Sequence, residues 1–279
     1  MRDEDCVAFL QWALPQLGMR WPGFRKVRRQ VAKRVARRLR ALDLEDLLAY
    51  RAYLEGHPDE WPVLDAMCRI SISRFYRDRG VFDLVRAEVL PRLAATVQTR
   101  GGHRIRAWSA GCASGEEPYT LNMVWQLGVQ PQFPRIELEI IATDVEPHLL
   151  ERARCGCYPS SSVKDFPADW LPRAFAPIDG QHSVRQRFRT GIDFQLGDVR
   201  REAPPGPFDL ILCRHLAFTY LDPLGQQDVL HRLLAELHPT GFLVIGKQEP
   251  LPPQADPGLR PFRPHSGIFV REPTGDPPR

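Results

Sequence analysis

Two neighbouring glutamates close a turn built almost wholly of small residues, Trp108-Ser-Ala-Gly-Cys-Ala-Ser-Gly-Glu-Glu-Pro-Tyr119. A short β-rich run precedes the turn, and a helical pattern over residues 119 to 127 follows it. A strand ending in such a turn lets backbone N–H groups and a helix N-terminus approach a ligand, and ligands of open α/β sheets sit at the carboxyl ends of strands. The full G-x-G-x-x-G phosphate fingerprint is missing, and Glu116 and Glu117 stand where a pyrophosphate would sit. Carboxylates there repel phosphate and attract an ammonium. The turn therefore suits S-adenosylmethionine (SAM), which has no phosphate and carries a cationic amino-acid end, better than a dinucleotide. The competing reading is that both glutamates only favour the positive end of the helix, an effect of a few tenths of a kcal/mol.

The second candidate is Asp144, ending the run Ala142-Thr-Asp144. An acidic residue there can accept hydrogen bonds from both hydroxyls of an adenosine ribose. Asp144 is equally suited to cap a helix beginning near Pro147, and the two roles can coexist.

These residues need a sheet to hold them. Beyond residue 100, β-rich runs alternate with helical patterns: 104–109, 137–143 and 208–213, then 241–246 and 267–271, the last two fitting a closing antiparallel hairpin. The expected fold is α/β, a Rossmann-like, mainly parallel seven-stranded sheet. Between the second run and residue 192 lies a segment too long and too polar for a simple crossover, expected to form a small inserted β-subdomain over 156–192. Before residue 72 the pattern is helical throughout. Apolar residues recur at Val27, Val31, Val35, Leu39 and Leu42, with further helices over 43–55 and 61–70. The expected division is a helical domain over 1–72, an α/β domain over 73–271 and a disordered tail over 272–279. The proline-rich stretch 250–266 reads as an extended or disordered connection.

The chain has 279 residues, 43% hydrophobic and 26% charged, which suits one large domain or one large plus one small. The acidic start and the absence of an 18-residue apolar run predict a cytoplasmic protein without membrane insertion. The six cysteines form no paired C-x-x-C pattern, so reduced thiols and no metal are expected. Net charge is +4, but the stretch from Arg20 to Arg40 holds ten Lys or Arg and no Asp or Glu. This basic helix suits an acidic protein partner as well as it suits plain solvation. No nucleic acid is expected, because the stretch lacks interleaved aromatics.

Five motifs in order, Ser73-Arg-Phe-Tyr-Arg77, WSAGCASGEEPYT (108–120), ATDVEP (142–147), Gly156-Cys-Tyr158 and Phe208-Asp-Leu-Ile-Leu-Cys-Arg214, resemble the chemotaxis receptor methyltransferases, the CheR family. The resemblance runs from about residue 9 to 271. It implies SAM as cofactor, S-adenosylhomocysteine (SAH) as product, and glutamate side chains of a receptor helix bundle as acceptors. It places Glu117 on the methionine ammonium, Asp144 on the ribose and Asp198 near the adenine, where the family often has Asn. It adds Ser73, where Thr is usual, and Ala110, Gly111, Val199, Arg214 and His215 to the cofactor site. Arg77 matches an arginine near both cofactor and transfer site, and Tyr220 an active-site tyrosine. Here Cys213-Arg-His-Leu-Ala-Phe-Thr-Tyr220 is one residue longer than the family pattern and has His215 for Asn, so Thr219 competes with Tyr220 for the tyrosine's place.

A glutamate acceptor is ionised at neutral pH, so positioning is the main task. Arg77 can hold the carboxylate, and Tyr220 can orient it. The plain alternatives are an ion pair of Arg77 with Asp78 or Asp83, and a core role for Tyr220. His215 fits either a hydrogen-bonding substitute for Asn or a base for a hydroxyl acceptor. The alternative functions are thus a related methyltransferase with another carboxylate or hydroxyl acceptor, and a SAM- or SAH-binding module without turnover.

Overall fold

The computed structural model describes residues 2–253, 255–256 and 258–272. The chain divides into two units, Met1–Ser71 with Leu216–Gln226, and Ile72–His215 with Gln227–Arg279. The tail expected to be disordered lies outside the described residues from 273 onward.

The first unit is helical: α1 (Asp3–Gln16), α2 (Trp21–Phe24), α3 (Arg28–Ala41), α4 (Leu47–Gly56) and α5 (Glu60–Cys68). In α3 the apolar spacing of four turns Val31, Val35 and Leu39 inward. The Asp46 carboxylate caps α4, accepting from the backbone N–H groups of Leu48 and Ala49 at 2.9 Å. The core of this unit combines Phe9, Leu10, Leu14, Phe24, Val31, Tyr50, Leu54 and Leu64. Residues 216–226, which the sequence assigned to the α/β domain, pack in this unit. The Arg20 guanidinium donates to the carbonyls of Phe218 and Thr219, Arg20 N donates to Tyr220 O at 2.9 Å, and Asp222 N donates to Gly18 O. Adjacency in sequence favoured the other assignment, whereas these backbone bonds bridge about 200 residues of chain.

The second unit opens with α6 (Arg79–Leu84), a π-helical turn at 85–89 and α7 (Leu90–Thr99). It then builds a sheet from β1 (Arg104–Ala110) and β2 (Glu137–Asp144), with α8 (Glu116–Val124) between them and α9 (Pro147–Cys155) after β2. A small three-stranded antiparallel sheet follows: β3 (Cys157–Tyr158), β4 (Phe175–Ile178) and β5 (Gln181–Val184), ordered β3-β5-β4, with α10 (Ser160–Val163) and α11 (Leu171–Ala174). The main sheet resumes with β6 (Ile192–Leu196), β7 (Phe208–Leu212) and β8 (Leu237–Val244). Between β7 and β8 run α12 (Ala217–Tyr220) and α13 (Pro223–Ala235). The last strands are β9 (Leu259–Pro261) and β10 (Ile268–Arg271).

The seven strands are ordered β6-β2-β1-β7-β8-β10-β9, parallel from β6 through β8 and antiparallel at β8/β10 and β10/β9. β7 is buried at every position, as a strand covered on both faces should be. The stretch 250–266 departs from the sequence expectation, because three of its residues form the edge strand β9. A proline in an edge strand forfeits no ladder bond on the solvent side, so Pro261 is tolerated there. The strand order reverses between β1 and β7, which opens a crevice at their carboxyl ends.

Candidate active site

The turn after β1 is fixed by the neighbouring strand. Gly111 N and Cys112 N both donate to Thr143 O, at 2.8 and 2.9 Å. Gly115 has φ 89°, and a Cβ there would stand 2.8 Å from that of Ala153, so only glycine fits before α8. Tyr158 donates its hydroxyl to Ser114 O at 2.6 Å, tying the start of the small sheet to the turn.

The two glutamates separate into different jobs. Glu116 is 2% exposed and hydrogen-bonded by Ser73 and Ser114, with its carboxyl pushed up by burial. It joins the segment at Ser73 to the turn. Glu117 keeps 14% of its side chain exposed. It accepts from the Ser109 hydroxyl at 2.8 Å and from Arg214 at 3.0 Å. Successive helical residues point about 100° apart, so one of an adjacent pair turns inward while the other reaches the crevice.

At the end of β2, the two oxygens of Asp144 each take one backbone N–H, from Ala113 at 2.8 Å and Glu146 at 3.0 Å. An ionised carboxylate offers about four acceptor positions, so two remain for a pair of hydroxyls. Burial raises the Asp144 carboxyl, against the pull of backbone hydrogen bonds from Glu146, Ala113 and Val145. Asp144 does not cap α9 by a side-chain bond; the residue preceding that helix is Glu146. Asp198 follows β6, the neighbour of β2, and is held by Arg200 at 2.9 Å. Val199 beside it is buried, as is Ala110 at the end of β1.

β7 delivers Arg214 and His215. Arg214, with a side chain 2% exposed, donates to Glu117, to Asp78 at 2.8 Å and to the Arg77 carbonyl at 2.8 Å. Its Nε is buried and has no partner among the described residues. His215 Nε2 lies 2.6 Å from Asp78 Oδ2, and its backbone N–H donates to Glu249 at 2.9 Å. The hydrogen bond from His215 holds the Asp78 carboxyl well below the usual carboxylate range, with help from the charges of Arg214 and Arg77. Tyr76, Asp78, Ala113 and His215 all have φ between 47° and 59°. Non-glycine residues in that region are strained, and such residues gather at functional sites.

The segment 73–78, the β1 turn and the ends of β2, β6 and β7 thus bring Ser73, Arg77, Glu117, Asp144, Arg214 and His215 into one connected set. Arg77 donates to Ile72 O at 2.6 Å. Asp83 accepts from the Tyr76 hydroxyl and pairs with Arg79 and Arg86. Tyr220 and Thr219 lie in the helical unit, where the Tyr220 ring packs on Phe24 at 5.1 Å. Sequence reasoning gave no site role to Asp78, Ser109 or Glu249, and took Asp78 only as a surface partner of Arg77. Asp78 carried a signal as the acid that follows Arg77, and Ser109 as a member of the motif over 108–120.

Acidic groups at three successive strand ends, with the β1 turn carrying glutamates in place of a phosphate cradle, define a nucleoside-binding α/β domain that accepts a cationic tail. The residues present fit SAM, with Asp144 offering two acceptor positions to a ribose and Glu117 a carboxylate to an ammonium. The comparisons agree. Residues 71–260 match the family model described as CheR methyltransferase, SAM binding domain. The chain is 33% identical over 232 residues to a chemotaxis protein methyltransferase of Escherichia coli, covering 80% of this chain and 76% of that one. It is 32% identical over 194 residues to a protein of the same name from Listeria monocytogenes, covering 70% and 71%. An uncharacterised 104.1 kDa protein of Rhodobacter capsulatus is 32% identical over 221 residues, and this chain spans 23% of its length. The chain belongs to the CheR methyltransferase family and is a SAM-dependent methyltransferase.

Proposed function

We propose that this methyltransferase esterifies glutamate side chains of a protein, such as a chemotaxis receptor. The observation that carries the reading is the Glu117–Arg214–Asp78 chain at the carboxyl ends of the strands, with Arg77 in the same segment. Bound SAM supplies an electrophilic methyl group on a sulfonium. The protein's residues do the rest by placement. Glu117 binds the methionine ammonium, Asp144 the ribose hydroxyls, and Asp198 with Val199 borders the adenine. Arg77 presents the acceptor carboxylate through charge-assisted hydrogen bonds, and Tyr220 or Thr219 takes the orienting role that the resemblance gives a tyrosine. The carboxylate oxygen attacks as an anion, so no residue has to remove a proton.

For the partner, the structure narrows the basic run. Of its ten cations, Arg20, Arg28, Arg34 and Arg38 are engaged within the helical unit. Arg25, Lys26, Arg29, Lys33, Arg37 and Arg40 are exposed and form no ion pair among the described residues. Six exposed like charges on and beside one helix support docking of an acidic protein surface.

The test is to incubate the protein with methyl-labelled SAM and a lysate of its source organism, then treat the products with mild alkali. Protein-bound label released as methanol supports the reading. Alkali-stable or small-molecule label replaces it with a different acceptor, and SAM binding without any label replaces it with a cofactor-sensing module.

A further inference from the structure

Arg77 stands between two residues of left-handed backbone, Tyr76 at φ 58° and Asp78 at φ 59°. A bulky side chain in that region is an outlier that persists only where its surroundings over-determine it. Asp78 is fixed from the end of β7, by Arg214 and His215. Tyr76 is fixed at both of its ends. Its side chain is fully buried, packs against Phe82 and Phe166 at centroid distances of 5.5 and 5.9 Å, and donates its hydroxyl to Asp83 at 3.0 Å. Its backbone N–H, one residue before Arg77, donates to Thr120 Oγ1 at 3.1 Å, across 44 residues of chain.

Thr120 lies one turn beyond Glu116 in α8 and is closed to solvent. A hydroxyl has one proton and two lone pairs. Thr120 gives the proton to Glu116 O at 2.6 Å, which leaves a lone pair for the Tyr76 N–H. A threonine inside a helix gains little by bonding back to the preceding turn. Here that bond aims the oxygen. One side chain thus ties the helix that carries the two glutamates to the backbone that carries Arg77. Valine has the same shape without the oxygen and would serve packing as well. Thr120→Val removes the acceptor used by the buried Tyr76 N–H, and with it one of the two constraints that keep Tyr76 left-handed. The peptide that leads into Arg77 turns as Tyr76 relaxes.

We propose that Thr120 is a positioning residue for methyl transfer: its hydroxyl holds Tyr76 in the left-handed conformation and so sets the direction in which Arg77 presents the acceptor carboxylate. The proposal rests on the reading of Arg77 given above. Thr120 itself touches neither cofactor nor acceptor. Its effect is to refer both reactants to one rigid element, because α8 also carries Glu117, the partner of the methionine ammonium. Alignment of nucleophile and methyl group is the main demand of this chemistry, and a shared support meets it.

Two measurements on the whole protein test it. Hydrogen exchange over residues 73–78 needs no acceptor. The Tyr76 amide is expected to be protected in wild type and in Thr120→Ser, and to exchange at least about tenfold faster in Thr120→Val while α8 stays protected. Equal protection in wild type and Thr120→Val overturns the proposal, and so does a loss that extends through α8, which marks plain destabilisation. The second measurement is alkali-labile methyl transfer from labelled SAM to a lysate of the source organism, counted per SAH-binding site. Thr120→Val is expected to transfer about tenfold more slowly with SAH affinity within about twofold of wild type, and Thr120→Ser to recover most of the rate. In an Arg77→Ala background, Thr120→Val is expected to add no further loss, since Thr120 acts through Arg77; losses that multiply overturn the proposal. Undiminished transfer by Arg77→Ala defeats the reading of Arg77 and the proposal with it, whereas a loss there without one in Thr120→Val defeats the proposal alone.

Discussion

Two arginine–carboxylate networks lie in the two units of this chain, and they are built for different ends. In the helical unit, Glu60 is 5% exposed and both of its oxygens are taken. Arg38 binds it at 2.9 and 2.6 Å, and the Tyr50 hydroxyl donates at 2.8 Å. In the α/β unit, Asp78 shares one oxygen between Arg214 and His215, Glu117 reaches the crevice, and Asp78 and His215 sit on left-handed backbone. The first network is closed and relaxed, and the second is strained and keeps its carboxylates Asp78 and Glu117 partly exposed. Polar groups that are fully satisfied within the chain stabilise it, whereas those left open are available to a ligand.

The comparison breaks most visibly at the cofactor end. Asp144→Ala is expected to lower SAM affinity at least about 100-fold, to below calorimetric detection, since two charge-assisted hydrogen bonds are lost. Unchanged affinity would remove Asp144 from the ribose. Arg77→Ala is expected to lower the rate of transfer about 100-fold while SAM affinity falls far less; an equal loss of both, read from single-turnover rates beside binding, would move Arg77 out of the transfer site. Glu60→Ala is expected to cost roughly 2–3 kcal/mol of stability, because it strands the buried Tyr50 hydroxyl and the Arg38 charge, with SAM affinity unchanged. Urea unfolding beside calorimetry tests that, and a matching loss of SAM affinity would erase the distinction between the networks.

Acidification gives the smallest effect and the sharpest contrast. The Arg38 hydrogen bond holds the Glu60 carboxyl below its ordinary value. Its contribution to stability is therefore present above the unfolded-state value and is lost as pH falls through the lower folded value. Burial holds Asp144 above its ordinary value, so its protonation begins earlier and relieves rather than weakens the folded chain. Ligand-free stability should thus survive to lower pH than SAM affinity does. Coincident acid limbs in the two measurements would show that one group governs both.

The strands carrying the site were readable because their signals are local. β1, β2 and β7 are dense in apolar and β-branched residues, and each was located to within one residue at either end. The motifs at their ends followed. The division of labour between Glu116 and Glu117 was not readable, since adjacent identical residues differ only in which way the helix turns them. Asp78 was read as a surface partner of Arg77 because its actual partners, Arg214 and His215, lie more than 130 residues away. The edge strand β9 was missed for the opposite reason. Its proline signalled loop, and only the pairing with β10 makes it a strand.

The clamp of Arg20 on the 218 and 219 carbonyls bears on protein engineering. A chimaera that exchanges the first 71 residues with those of a relative inherits a graft with two pieces, because residues 216–226 belong to the same packed unit. Exchanging the leading piece alone would match a foreign α2 to a native α12, and co-transfer of the short second piece is the natural remedy.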